Sequence, residues 1–308
     1  MLKRRGFTLI ELLVSIVLLG IVGLAMARLM TAMLRVTTAQ VQLAGSQGTS
    51  RTGSLAIPSE FREIGFDTIP NVGISSDLET IQANRLTFRA MRGMGNTCAI
   101  TTTGGGAVDE FWIRKPILGL RNPQATDSFR LFVENENNRG DDDQWVAMVV
   151  RDIDLNATCG ADPAIHIIPN ATPTHLPASA GGDVLGSHVV VGGPIRWYER
   201  MEYGPFIDGT TGRTFLGARS LNQAQNALIP MVGPLTDSTG FALTYYDADG
   251  VVLDPTNAAN RVKVRSIGVN LVGATTAATS LYGASNRSRG TSPVFTRVAL
   301  RNNIRPAP

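Results

Sequence analysis

Apolar residues run almost without interruption from Phe7 to Ala27, and one acid, Glu11, lies among them. No proline occurs between Phe7 and Ile57, and Leu, Ile, Val, Ala, Met and Gln dominate that stretch, which predicts one long helix. At about 1.5 Å per residue the helix reaches roughly 75 Å. Its first half is apolar on all sides, which suits a bilayer or a filament core. From Arg35 through Gln40, Gln42 and Gln47 the pattern is mixed and fits packing against a head domain. Gly45, Gly48 and Gly53 lower helix propensity and predict bending, and Pro58 predicts a break or kink. Ile57, Phe61 and Ile64 fall at i, i+4 and i+7, so a further turn or two is expected, ending at Gly65.

From about Asp67 onward, turn signals recur every ten residues or so between short β-rich runs, the pattern of an antiparallel sheet. The candidate strands are 85–89, 110–114, 129–133, 145–150, 189–191, 195–198, 241–246, 262–272 and 295–300. Segments 169–182 and 273–293, rich in Gly, Ala, Ser, Thr and Pro, read as long loops. The fold class expected is α+β: a long N-terminal helix, membrane-embedded in its first half, packed on a β-rich, mainly antiparallel head.

Charge sharpens the reading of the N-terminus. Lys3, Arg4 and Arg5 precede the apolar run and hold the short leading end in the cytoplasm, so the rest of the chain lies outside. A secretory signal also starts this way, and Ala25-Met26-Ala27 offers it a small-x-small cleavage site; a plain transmembrane anchor needs only about 20 apolar residues. Neither reading explains Glu11, because a carboxylate at membrane depth costs several kcal/mol without a partner. Three of the 28 basic residues are Lys3, Arg4 and Arg5, so the remainder balances 25 against 25 and argues against broad electrostatic capture of nucleic acid. The two cysteines, Cys98 and Cys159, sit among loop-like residues, and an even count in an exported chain reads as one disulfide.

Arg4-Arg5-Gly6-Phe7-Thr8-Leu9-Ile10-Glu11-Leu12-Leu13-Val14 resembles the class III signal of type IV pilins and type II secretion pseudopilins. The resemblance implies that residues 1–6 are a leader, cut by prepilin peptidase between Gly6 and Phe7, with N-methylation of the new Phe7 amine. It also implies a helix over 7–57, a periplasmic head over 58–308, and a Glu11 that pairs during assembly with the Phe7 amine of a neighbouring subunit in the inner membrane. Residues 58–66, 232–250 and 297–302 are similar to the large minor pilins of the PilW/PulJ type, whereas about 93–229 resembles no family. The partners implied are the peptidase, other pilins or pseudopilins and the membrane. Type IV pilus tip or priming complex, type II secretion pseudopilus, and pilus-mounted adhesin or DNA-uptake module all stay open.

Catalytic patterns are missing: no G-x-S-x-G, H-E-x-x-H, P-loop or C-x-x-C occurs, and the histidines are His166, His175 and His188. A subunit that works by assembly is expected, with no cofactor. Two acidic loops raise calcium, Asp141-Asp142-Asp143 and Asp247-Ala248-Asp249-Gly250 followed by Asp254; the bland readings are a solvated turn and a hairpin turn. Arg287, Arg289, Arg297, Arg301 and Arg305 follow Asn286 with no further acid, and favour phosphate binding only if they converge on one face.

Overall fold

A computed structural model describes residues 8–62, 64, 77–102, 107–134, 144–171, 188–223, 226–278 and 289–300. Helix α1 (Leu9–Arg62) is 54 residues long and passes through Pro58 without stopping. The break expected there does not occur because Ile57, Pro58 and Phe61 are all buried. Their burial offsets the roughly 3 kcal/mol that an interior proline costs. Phe61 meets the rings of Phe88 and Tyr203 edge-on, at centroid distances of 5.4 and 5.8 Å.

The described residues of the head contain fifteen strands. The first eight are β1 (Leu78–Ile81), β2 (Leu86–Thr102), β3 (Val108–Arg114), β4 (Leu118–Gly119), β5 (Ser128–Val133), β6 (Gln144–Asp154), β7 (Thr158–Cys159) and β8 (Asp162–Ala171). The rest are β9 (Pro194–Ile207), β10 (Thr214–Ser220), β11 (Ile229–Leu235), β12 (Phe241–Tyr246), β13 (Val252–Leu253), β14 (Ser266–Ala274) and β15 (Thr291–Ala299). All their ladders are antiparallel.

β2 and β9 pair from Leu86↔Tyr203 to Asn96↔Pro194 and organise everything else. At the far end, β2 pairs β3, β3 pairs β8, β8 pairs β6, β6 pairs β5 and β5 returns to β9, which closes a six-stranded barrel. Phe111, Ile113, Phe129, Leu131, Val146, Ile165, Ile167 and Trp197 fill it. At the near end, β9 continues through β10 and β11 to β14, flanked by β12 and β15, and α1 packs against β11, β14 and β15. Ile57, Phe61, Phe88, Tyr203, Leu216, Phe241 and Ile267 form this second core.

Two expected strands change character. Residues 262–272 split, because Asn257 caps a 3-10 turn over Ala258–Lys263 and the strand starts only at Ser266. In 189–191 only Val189 bridges, to Val133, before the chain turns at Gly192 with φ +95°. The loop expected from residue 169 begins later, since β8 runs through Ala171.

β2 serves both cores because it is bulged twice. Its register slips at Arg92 against β9 and at Cys98 against β3, and a bulge turns the extra side chain out of the normal alternation. Cys98 is bonded to Cys159 in β7 with the Cα atoms 6.3 Å apart. Cross-linking a loop of this length contributes about 4 kcal/mol on the chain-entropy model. The Arg92 guanidinium enters the seam between helix and barrel. Its Nε donates to Glu199 Oε2 at 2.7 Å, and its Nη1 donates to both oxygens of Glu60 on α1 at 3.1 and 2.9 Å. Arg121 joins Glu199 at 3.4 Å and grips Asp127 with two 2.7 Å bonds. Burial alone would raise the Glu199 carboxyl; hydrogen bonds from Ser220 and Arg92 and the charges of Arg92 and Arg121 outweigh it, leaving Glu199 below the usual carboxylate range.

Two outcomes are expected. A Cβ at Gly273 falls inside contact distance of Ser50 Oγ and 3.0 Å from the Ser46 carbonyl oxygen, so Gly273→Val should cost about 1–3 kcal/mol in thermal or denaturant unfolding of the detergent-solubilised chain. Removing Arg92 leaves buried Glu199 short of a partner, so Arg92→Met should cost about 3 kcal/mol near neutral pH. Because the folded Glu199 titrates below its unfolded value of about 4.3, its contribution is complete above that value and is lost as pH falls through the folded pKa. The stability gap between wild type and Arg92→Met should therefore narrow toward pH 3; a gap that stays constant would rule out the charge contact as its source.

Candidate functional site

Glu11 occupies the first turn of α1 and is not alone there. Thr8 N and Thr8 Oγ1 donate to Glu11 Oε2 at 3.3 and 3.1 Å, and the Glu11 N–H donates back to Thr8 Oγ1 at 3.4 Å. Leu12 N–H closes the first helical turn on the Thr8 carbonyl at 3.2 Å. This reciprocal pattern is a capping box, and it places the carboxylate at the positive end of the helix dipole. Treating Glu11 as a lone acid overlooked Thr8, although the Thr-x-x-Glu spacing is a sequence signature of such a cap. Lys3, Arg4, Arg5, Gly6 and Phe7 lie outside the described residues.

Every residue of α1 from Leu9 to Thr38 is exposed, and Ala39 is the first to be buried. The helix is long and apolar enough, by length and composition, to cross a membrane. An apolar surface of this extent is unfavourable in water at about 25 cal/mol per Å², so another phase or another chain must cover it. Beyond Ala39 a narrow face of Ser46, Ser50, Gly53, Ile57 and Phe61 docks on the sheet. Gly53 is required by close approach, since a Cβ there would sit 2.8 Å from Leu271 and 2.9 Å from Val232.

The other sequence candidates separate. Asp141, Asp142 and Asp143 lie outside the described residues. Asp247 Oδ1 accepts from the N–H groups of Asp249 and Val251 at 3.0 and 2.8 Å, and Gly250 has φ +80°, so this loop is a hairpin turn between β12 and β13. The Thr256 N–H and hydroxyl hold the Asp254 carboxyl below its ordinary value. Among the described residues, no group of three or more His, Cys, Asp and Glu side chains is placed to hold a metal ion. Arg289 precedes β15, whereas Arg297 lies near its other end, stacked 3.9 Å over Tyr246 and donating to Ser266 Oγ at 2.9 Å. Arg287, Arg301 and Arg305 lie outside the described residues. His166 stacks on Trp112 at 4.3 Å and meets Glu110 at 3.1 Å on the face of β3 and β8.

The Glu60–Arg92–Glu199 chain of charges was also missed. The available signal was Met91-Arg92-Gly93-Met94-Gly95, where glycines inside an apolar run mark bulges and close approaches. A Cβ at Gly93 would collide with the Trp197 ring.

Residues 1–27 match the family model of the prokaryotic N-terminal methylation motif. No curated protein and no solved structure matches the chain. The motif, leading into an exposed apolar helix, supports a type IV pilin-like or pseudopilin precursor that prepilin peptidase processes and that assembles with other pilins.

Proposed function

We propose that this chain is a minor pilin or pseudopilin of the large PilW/PulJ type that enters a type IV pilus as part of its tip or priming complex. The observation that carries the reading is the methylation motif at residues 1–27 running directly into a helix whose surface is bare through Thr38. In this reading residues 1–6 are the leader, Phe7 is the first mature residue and carries the methylated amine, and the chain crosses the inner membrane once with 58–308 in the periplasm. The Cys98–Cys159 bond fits that oxidising side. Assembly proceeds when Glu11 of one subunit meets the Phe7 amine of another. A minor pseudopilin of type II secretion would share all of these features.

A pilus-mounted binding module is favoured by one feature. The barrel of β2, β3, β5, β6, β8 and β9 has a core separate from the one α1 joins, so its fold is not spent on holding the helix. Its outer face carries Arg196 stacked 4.0 Å over Trp145, with Phe132 beside that ring.

Two measurements test the assembly reading. Intact mass of protein extracted from membranes should give a mature chain starting at N-methyl-Phe7; a start at Arg28 or Leu29 would mean an ordinary secretory signal and end the pilin reading. Glu11→Val should insert into membranes as well as wild type or better, because a burial cost disappears, yet be recovered with other pilins at a small fraction of the wild-type yield. Undiminished recovery would remove Glu11 from assembly.

A further inference from the structure

The membrane-spanning reading of α1, on which this inference rests, leaves a length to be explained. Leu9–Ala27 covers about 28 Å at 1.5 Å per residue, already a full hydrocarbon core. The apolar pattern does not stop there. Leu29, Met30, Met33, Leu34 and Val36 are each more than half exposed, and they lie between Arg28 and the first buried residue, Ala39. If the head stood clear of the bilayer, this collar would face water.

The stretch from Leu9 to Val36 measures about 42 Å, which matches a bilayer with its head-group layers. Placed so, the helix end capped by Thr8 and Glu11 reaches one interface and Arg35 the other, with Arg28 about 10 Å along the axis from Arg35, in the layer where a long cationic side chain can reach lipid phosphates. Arg28 and Arg35 are seven residues apart and therefore on one face.

The lower end of the head then meets the same surface. Ala39 is already buried there, and contacts among the described residues include Gln42, whose Oε1 accepts from Ala277 N–H at 3.3 Å, and Leu43, which lies 3.5 Å from the position of a Cβ on Gly290. Gln42 is about 10 Å along the helix from Arg35. Arg213 is tied to this end by a 3.1 Å bond to the Thr276 carbonyl, and Arg289 adjoins Gly290. Asp208, at the same end, is occupied by Thr210 and Thr211 at 2.9 and 2.6 Å.

The geometry points to a lipid footing: before assembly the head rests on the outer leaflet, with Arg28 and Arg35 on the helix and Arg213 and Arg289 on the head binding the phosphates of anionic phospholipids, and Leu29–Val36 submerged among the head groups and upper acyl chains. Lipid covers the collar in the stored subunit, and neighbouring helices replace it on assembly.

Full-length protein in nanodiscs of phosphatidylglycerol or phosphatidylcholine tests this. Nitroxides on Met33→Cys and Thr38→Cys, with the native disulfide intact, should differ: the Met33 label should favour oxygen over an aqueous nickel chelate, and the Thr38 label the reverse. A dye on Ala278→Cys should transfer energy to head-group-labelled lipid at least twofold more efficiently in phosphatidylglycerol than in phosphatidylcholine. Arg213→Gln with Arg289→Gln, or 1 M salt, should abolish that preference. A Met33 label in water in both lipids overturns the footing, and so does transfer that ignores lipid charge and the double variant. Either failure in a chain that begins at Phe7 and is recovered with other pilins would leave the assembly reading intact, so the two ideas fail separately.

Discussion

The ladder between β2 and β9 is the wall that both cores share, and the rest of the head depends on it. β2 has 17 residues and β9 has 14, lengths at which a twisted pair cannot stay flat against one hydrophobic layer. The chain resolves this by giving the two ends of the pair different neighbours. Beyond Arg92 they roll into the barrel, and before it they lie open toward the helix. The roll needs close approach at one level, where Gly93 accommodates the Trp197 ring on one side and Gly119, at φ +143°, on the other. Any side chain at 93 would separate the strands where the two cores divide.

The charges at this junction act on placement more than on net stability. A buried ion pair repays little beyond its own desolvation, and a well-packed apolar replacement of the whole group is often as stable. Removing a single member is the costly change. Glu60, Arg92, Glu199, Arg121 and Asp127 are linked in series from the helix end to the start of β5; the Glu60–Arg92 link is the one that crosses from α1 to the head, so a rotation or a slip of α1 would break it and leave Arg92 with Glu199 alone. The apolar contacts of Phe61 with Phe88 and Tyr203 tolerate small shifts; the charges do not. The helix is thereby held at one height and one rotation relative to the barrel.

The helix, the α+β class and several strands were legible in the sequence because their patterns are local. Strand 241–246 has the bounds read from its β-rich run and flanking turn signals, and 129–133 and 110–114 are off by only one or two residues. The failures share a cause, since pairing across the sheet overrides local signals that sequence patterns report. β8 was hidden by Pro163 and Pro169; Pro169 pairs with Val150 where the register slips, a position at which a proline's missing donor does no harm. β11 contains Pro230 and Pro234 and joins β10 through two shifts. β2 lost its alternation to the bulges at Arg92 and Cys98, so its second half did not read as strand. Pro58 was read by propensity as a break or kink, but the burial of Ile57 and Phe61 around it carries the helix through. At the N-terminus the acid stood out from its composition, whereas its cap required noticing a spacing of three.

That cap alters the energetics of assembly. A carboxylate that accepts two bonds from Thr8 and lies at the positive end of a helix dipole is not an orphan, even at membrane depth, so relief of burial alone does not drive Glu11 onto a neighbour. If Glu11 pairs with an amine as proposed, the pairing is an exchange. In that reading the neighbour's charge would displace one or both Thr8 donors, and the gain would be the difference between an ion pair and the ion–dipole hydrogen bonds it replaces, amplified by low dielectric. A difference of two favourable states is smaller than the rescue of an unsatisfied one. On the proposed assembly, the incoming subunit is held in the membrane at a burial cost that the cap lowers, and it joins its neighbour without being locked there, which suits a subunit that must first wait and then move.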